Sequence, residues 1–125
     1  MYLLNTAIQQ LANELVPQLI QIRRHLHQNP ELSFKEYNTA NFIENELTKL
    51  NIPSQRLANT GIVALIKGNN PESKTIALRG DIDALPITEE NTHDFVSKNI
   101  GVMHACGHDV HTTCLIGAVT ILNQL

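Results

Sequence analysis

An α/β fold with two N-terminal helices, about three strands in a mixed sheet and a buried C-terminal helix follows from three features of the sequence. Apolar residues recur at helical spacing through the first 50 positions. The pattern then shortens to strand-like runs between turn signals, from Ser54 to Gly80. Beyond His108, apolar side chains occupy opposite sides of one last helical segment. A chain of 125 residues suffices for a single domain with one core.

The first helix, from about Thr6 to His27, carries the stripe Ile8, Leu11, Leu15, Leu19, Ile22 and Leu26. Pro17 removes a backbone donor inside it, which predicts a kink, or two abutting helices with Pro17 in the first turn of the second. Arg23, Arg24, His25 and His27 crowd its C-terminal end, where positive charge complements the helix dipole. That role accounts for the two histidines more simply than a ligand role does. Asn29-Pro30 stops the helix. Ser33-Phe34-Lys35-Glu36 has the form of a capping box and opens a second helix with Phe34, Tyr37, Ala40, Ile43, Leu47 and Leu50 on its apolar face. Ser54 to Leu57 and Ile62 to Ile66 read as a hairpin around Ala58-Asn59-Thr60-Gly61. Lys74 to Gly80, with Ile76, Ala77 and Leu78 in succession, reads as a third and central strand covered on both faces. The last helix presents Val110, Cys114, Ala118, Ile121 and Leu125 on one side and Leu115, Val119 and Leu122 on the other, a pattern that expects burial all round. It stops at Leu125 without a capping glycine and reads as cut rather than finished.

Composition narrows the function. Hydrophobic residues make up 42% and charged residues 17%, with a net charge of -3, so no basic face is available for nucleic acid. The N-terminus has neither a basic leader region nor a continuous apolar run, so neither a secretion signal nor a membrane span is expected, and the cytoplasm is the default compartment. Cys106 and Cys114 then read as thiols rather than a disulfide.

The segment G-V-M-H-A-C-G-H-D-V-H, Gly101 to His111, gathers three of the six histidines and one of the two cysteines. In a non-helical turn, Cys106 and His108 converge on one ion across Gly107, which has no Cβ to block the approach, and a thiolate with an imidazole suits zinc or another borderline metal. A helical reading instead aligns His104, His108 and His111, although Gly101 and Gly107 disfavour it. Two ligands do not complete a zinc site, so further donors must come from elsewhere. Upstream, Arg79-Gly80-Asp81-Ile82-Asp83-Ala84-Leu85-Pro86 lies at the C-terminal end of the third strand. If the chain stays extended, Asp81 and Asp83 face one side, where sites in open α/β sheets gather. An Asx-type turn explains the same residues equally well. Glu89 and Glu90 read as a solvated loop rather than an acid/base pair. Asp109 suits the free amides at a helix start and also the support of a ligand histidine.

Taken together, R-R-H-L-H-Q-N-P-E-L-S-F-K-E (from Arg23), L-R-G-D-I-D-A-L-P-I-T-E-E (from Leu78) and S-K-N-I-G-V-M-H-A-C-G-H-D-V-H (from Ser97) resemble consecutive motifs of the aminoacylase and carboxypeptidase-type metallohydrolases. The likeness is to the amidohydrolase branch, with hippurate hydrolase, N-acetyl-diaminopimelate deacetylase and indole-acetyl-amino-acid hydrolases. It implies the N-terminal part of a phosphorylase/hydrolase-like catalytic domain, with the inserted lid and dimerisation domain absent from these residues. It further implies a two-metal site, with zinc or manganese expected and nickel or cobalt tolerated, that hydrolyses the amide of an N-acyl amino acid with metal-activated water. Cys106 and His108 match the family's metal ligands. Asp83 matches the acidic residue beside the metal that orients a ligand, and Asp81 stands where other branches have a histidine ligand. His104 and His111 belong to the motif without an assigned role, and Glu89 and Glu90 match a loop before it. No glutamate follows Glu90, so the general base is missing and the isolated chain is expected to be inactive. Two other classes fit the residues: an interaction module that self-associates through uncovered apolar surface, and a small metal-binding protein using Cys106, His108 and His111.

Overall fold

The computed structural model describes residues 2–70, 72 and 74–125. The order of elements is α1 (Tyr2–Gln28), α2 (Tyr37–Lys49), β1 (Ser54–Leu57), β2 (Gly61–Ala64) and α3 (His108–Leu122). The α/β class holds. None of the helices is long and apolar enough to cross a membrane.

Helix α1 runs unbroken through Pro17 for 27 residues. A single proline removes one amide donor, and good helix formers on either side carry the helix past it. The C-terminal half of the predicted stripe makes the core: Ile22 and Leu26 join Ile43, Leu47, Ile52 and Ile116, with Leu19 packed against them. The N-terminal half is less covered, and Leu3 and Leu4 are exposed.

Helix α2 starts three residues later than its sequence suggests, and not by a capping box. Phe34 takes φ 65° and Phe34 and Tyr37 are exposed, while Glu36, at the cap position, makes no side-chain capping bond. Glu31 does that work instead. Its Oε2 accepts from the Thr39 amide and hydroxyl, both at 2.8 Å, and its Oε1 accepts from the Asn38 amide at 3.2 Å and side chain at 2.8 Å. The Ser33 hydroxyl is thereby released to donate to Asp83.

The hairpin forms with Ser54 opposite Ala64 and Leu57 opposite Gly61, and positive φ at Ala58 (51°) and Asn59 (72°) turns the chain between them. The third strand does not form. Residues 74–80 pair with neither strand, and Ile76 and Leu78 are exposed at 83% and 54%. An apolar run suited to a sheet interior needs a neighbour on each edge, and the described residues supply none. Backbone pairing is next seen at Ala84, whose amide donates to Glu31 O (2.7 Å), and at Leu85, which exchanges two 3.0 Å bonds with Met103.

Helix α3 is buried on one face, through Thr112, Thr113, Ile116, Gly117 and Thr120, rather than all round; Val110, Cys114 and Leu122 are exposed. It packs on α1 so closely that a Cβ on Gly117 would stand 3.0 Å from Leu19 Cδ1. This contact sets the N-terminus of α3 beside the C-terminal end of α1, where the polar residues of both converge.

Candidate functional site

Residues 101–107 form a turn and α3 begins at His108, so the non-helical reading of the motif holds. Gly107 precedes the helix at φ 86°, in the left-handed region, and nothing lies within 4 Å of the position a Cβ would take. Backbone conformation rather than crowding calls for glycine there. Thr112 Oγ1 donates to Asp81 O (2.9 Å), which ties the Asp81–Asp83 segment to the first turn of α3.

That tie brings the predicted residues together. His108 Nδ1 lies 2.9 Å from both Asp83 O and Asp83 Oδ1. Both are acceptors, so Nδ1 carries the proton and the lone pair of Nε2 is left for another partner. A carboxylate or carbonyl behind one ring nitrogen, with the other left free, is how metal-binding histidines are held. The Ser33 hydroxyl, followed by the His108 imidazole, holds the Asp83 carboxyl below the usual carboxylate range against the opposing effect of burial. Asp81, His108 and His111 place one donor atom each within 4.8 Å of one another, with the two imidazoles 5.5 Å apart between ring centres. Asp81 is also paired with Arg79 at 2.8 Å. Cys106 is exposed at the mouth of the turn and stands outside this triad. The triad's donor set of one carboxylate and two imidazoles suits a borderline divalent metal.

A second polar cluster lies beneath. Asp109, with a fully buried side chain, accepts from His27 Nδ1 (2.7 Å) and from the Val110 amide (2.9 Å), and Arg23 Nε lies 3.0 Å from its Oδ2. The histidine it supports is therefore His27 of α1 and not the adjacent His108. His27 Nε2 in turn lies 3.0 Å from Glu89 Oε1. Placing His27 at the helix end for the sake of the dipole alone was incomplete: it is 3% exposed and flanked by carboxylates at both nitrogens. His25 stacks on Phe42 with ring centres 4.2 Å apart.

The solvated-loop reading of Glu89 is likewise overturned, since its side chain is 3% exposed; Glu90 remains exposed. Burial pushes the Glu89 carboxyl up, but hydrogen bonds from Asn91, His27 and the Ser97 amide outweigh it and bring the group down to about 2. A turn whose amide and side chains close over one carboxylate leaves no periodic signal, which is why sequence reasoning missed it. His104 is 5% exposed, and both of its ring nitrogens lack a hydrogen-bond partner. Burial holds it below the ordinary histidine range, in its neutral form.

Known proteins resemble this chain in sequence and fold. Residues 77–125 match the model of peptidase family M20/M25/M40. The chain is 47% identical over 119 residues to an N-acyl-L-amino acid amidohydrolase of Geobacillus stearothermophilus, a match that covers 94% of this chain and 32% of that protein. It is 50% identical over 110 residues to an N-acetyldiaminopimelate deacetylase of Listeria monocytogenes, covering 85% of this chain and 29% of the other. The crystal structure of a Bacillus subtilis protein described as a dinuclear metal-binding peptidase of the M20 family superposes with a TM-score of 0.83 at 46% identity, over 86% of this chain and 31% of that one. The chain thus spans about a third of the length of these relatives. The motif match over residues 77–125, the identity across nearly the whole chain and the common fold agree: the chain resembles part of the proteins of peptidase family M20/M25/M40.

Proposed function

We propose that these residues are the first part of the catalytic domain of a metal-dependent amidohydrolase of N-acyl amino acids. The observation that carries the reading is His108, held through Nδ1 by Asp83 with Nε2 left open, one residue from the exposed Cys106 across a left-handed Gly107. The names of the amidohydrolase and deacetylase relatives support the substrate class.

In this reading Cys106 and His108 hold the metal, zinc or manganese before nickel or cobalt, in a site of two ions. A bound divalent metal polarises an amide carbonyl and acidifies water enough for it to attack at neutral pH. This chain's own residues orient and hold. Asp83, which by resemblance orients a metal ligand, acts through His108 by fixing its tautomer, and Ser33 keeps Asp83 ionised and aimed. No glutamate follows Glu90, so the 125 residues contain no candidate base on the far side of the motif, and the chain by itself is inactive or nearly so.

The test is hydrolysis of N-acetyl and N-benzoyl amino acids by the longest natural product that carries this segment, with and without added zinc or manganese. The expected result is metal-dependent turnover that Cys106→Ser and His108→Ala each abolish. Undiminished activity in Cys106→Ser would make the ligand assignment wrong. Exposed Ile76, Leu78 and Ile100 support a second reading, in which the isolated chain self-associates through uncovered apolar surface. Concentration-dependent size in sedimentation, without turnover, is its signature.

A further inference from the structure

Beside the motif site, His27, Glu89 and His93 place one donor atom each within 4.8 Å of one another. The edges meeting at Glu89 Oε1 measure 3.0 Å to His27 Nε2 and 3.4 Å to His93 Nε2. A tetrahedral site with bonds of about 2.0–2.1 Å has edges of about 3.3 Å, so both distances suit a single zinc-sized ion. The protonation pattern points the same way. Asp109 accepts from His27 Nδ1, so the hydrogen bond of Nε2 to Glu89 Oε1 takes a second ring proton, whose place a metal ion can fill. Two acceptors 3.0 Å apart in a buried cluster need a positive species between them, either a second proton on His27 or a metal ion. Asp109 stands behind His27 as carboxylates stand behind metal-binding imidazoles. Glu89 is fixed by the Ser97 amide (2.6 Å) and Asn91 (2.9 Å), while His93 is held by its stack on Phe95 with ring centres 3.8 Å apart. The side chain of His93 keeps 31% exposure, which gives an ion an entry path that His27 and Glu89 alone would not offer.

We propose that His27, Glu89 and His93 form a second divalent-metal site of the zinc class, separate from the ligands Cys106 and His108. It shares no ligand with the motif site, and Asp109, which follows His108 and supports His27, lies between the two.

Cobalt(II) titration of this 125-residue chain, followed by visible and near-ultraviolet absorption with equilibrium dialysis, tests the proposal. The background carries Cys106→Ser and His108→Ala, which together remove the thiolate and break the Asp81, His108 and His111 triad. The expected result is one retained equivalent of cobalt with nitrogen- and oxygen-type bands and no sulfur charge-transfer band. Adding His93→Ala should weaken that binding by more than the roughly 10- to 100-fold that outer-shell losses cost. Retention of the same equivalent after His93→Ala, or no retained equivalent in the background, would overturn the site. Should the background variant not fold, zinc titration of the unsubstituted chain, read by the imidazole nitrogen resonances, decides instead: His27 and His93 Nε2 must shift together, and unmoved signals refute the proposal. Neither readout involves turnover, so failure of the hydrolase reading leaves this result interpretable.

Discussion

The two polar clusters at the junction of α1 and α3 use the same residue types to opposite ends. Around His27, the side chains of Asp109 and Glu89 are 0% and 3% exposed, and every carboxylate faces a cation, an imidazole or an amide. Around His108, the side chains of Asp83 and Asp81 are 26% and 42% exposed, Cys106 lies on the surface, and His108 Nε2 is left open. The first cluster is mostly buried, bears on stability, and opens to solvent through the part-exposed His93. The second is open and bears on ligation. Burial separates them, because a buried charge without a partner costs several kcal/mol whereas an exposed one is solvated at little cost.

The contrast should show most strongly at Asp109. Asp109→Ala strands Arg23 and His27 in a buried setting and should cost about 3–5 kcal/mol, read by urea denaturation. A loss under 1 kcal/mol would erase the distinction between the clusters.

The acid side of the stability curve comes next. Because Glu89 sits at about 2 in the folded chain against an ordinary 4.5, its contribution is complete above about 4.5 and is lost as pH falls toward 2. The effect amounts to up to about 3 kcal/mol. Glu89→Gln should flatten the stability profile over that window, and an unchanged slope would show that the carboxylate is not held as its contacts indicate.

Asp83→Asn should do the reverse of Asp109→Ala. The part-buried position should leave stability within about 1 kcal/mol, while loss of the tautomer-fixing carboxylate should weaken metal binding at the proposed Cys106 and His108 site by about 10- to 100-fold in a competition assay. The smallest effect belongs to the exposed pair of Arg79 and Asp81. Arg79→Ala should shift the unfolding midpoint by no more than the 0–1 kcal/mol of a surface ion pair, and less at high salt.

The readable parts of the molecule are those governed by period and local chemistry. Ile22, Leu26, Ile43 and Leu47 repeat at helical spacing and do form the core, and the positive φ values at Ala58 and Asn59 lie in the turn marked out by Ala58-Asn59-Thr60-Gly61. The motif turn was legible through Gly107, whereas the alternation of Asp81 and Asp83 left open which group they would meet; Asp83 Oδ1 meets His108. Other assignments failed where a distant partner outcompeted a local one. Ser33 serves Asp83, 50 positions away, instead of the α2 amides, and Glu31 caps in its place. Residues 74–80 carry a central strand's pattern without the flanking strands that would realise it.

By itself, then, the sequence determined the helices, the hairpin, the apolar core and the chemistry of the Gly101–His111 turn, because each depends on neighbours within a few residues. Only the tertiary structure decided that His27 and Glu89, 62 positions apart, lie within 3.0 Å of each other, and that Asp109 supports a histidine of α1 rather than its own neighbour. The physical reason is that the strength of a carboxylate–imidazole contact depends on burial and on angstrom-scale approach. Both are properties of how α1, α3 and the intervening loop pack, and neither is encoded in any one segment.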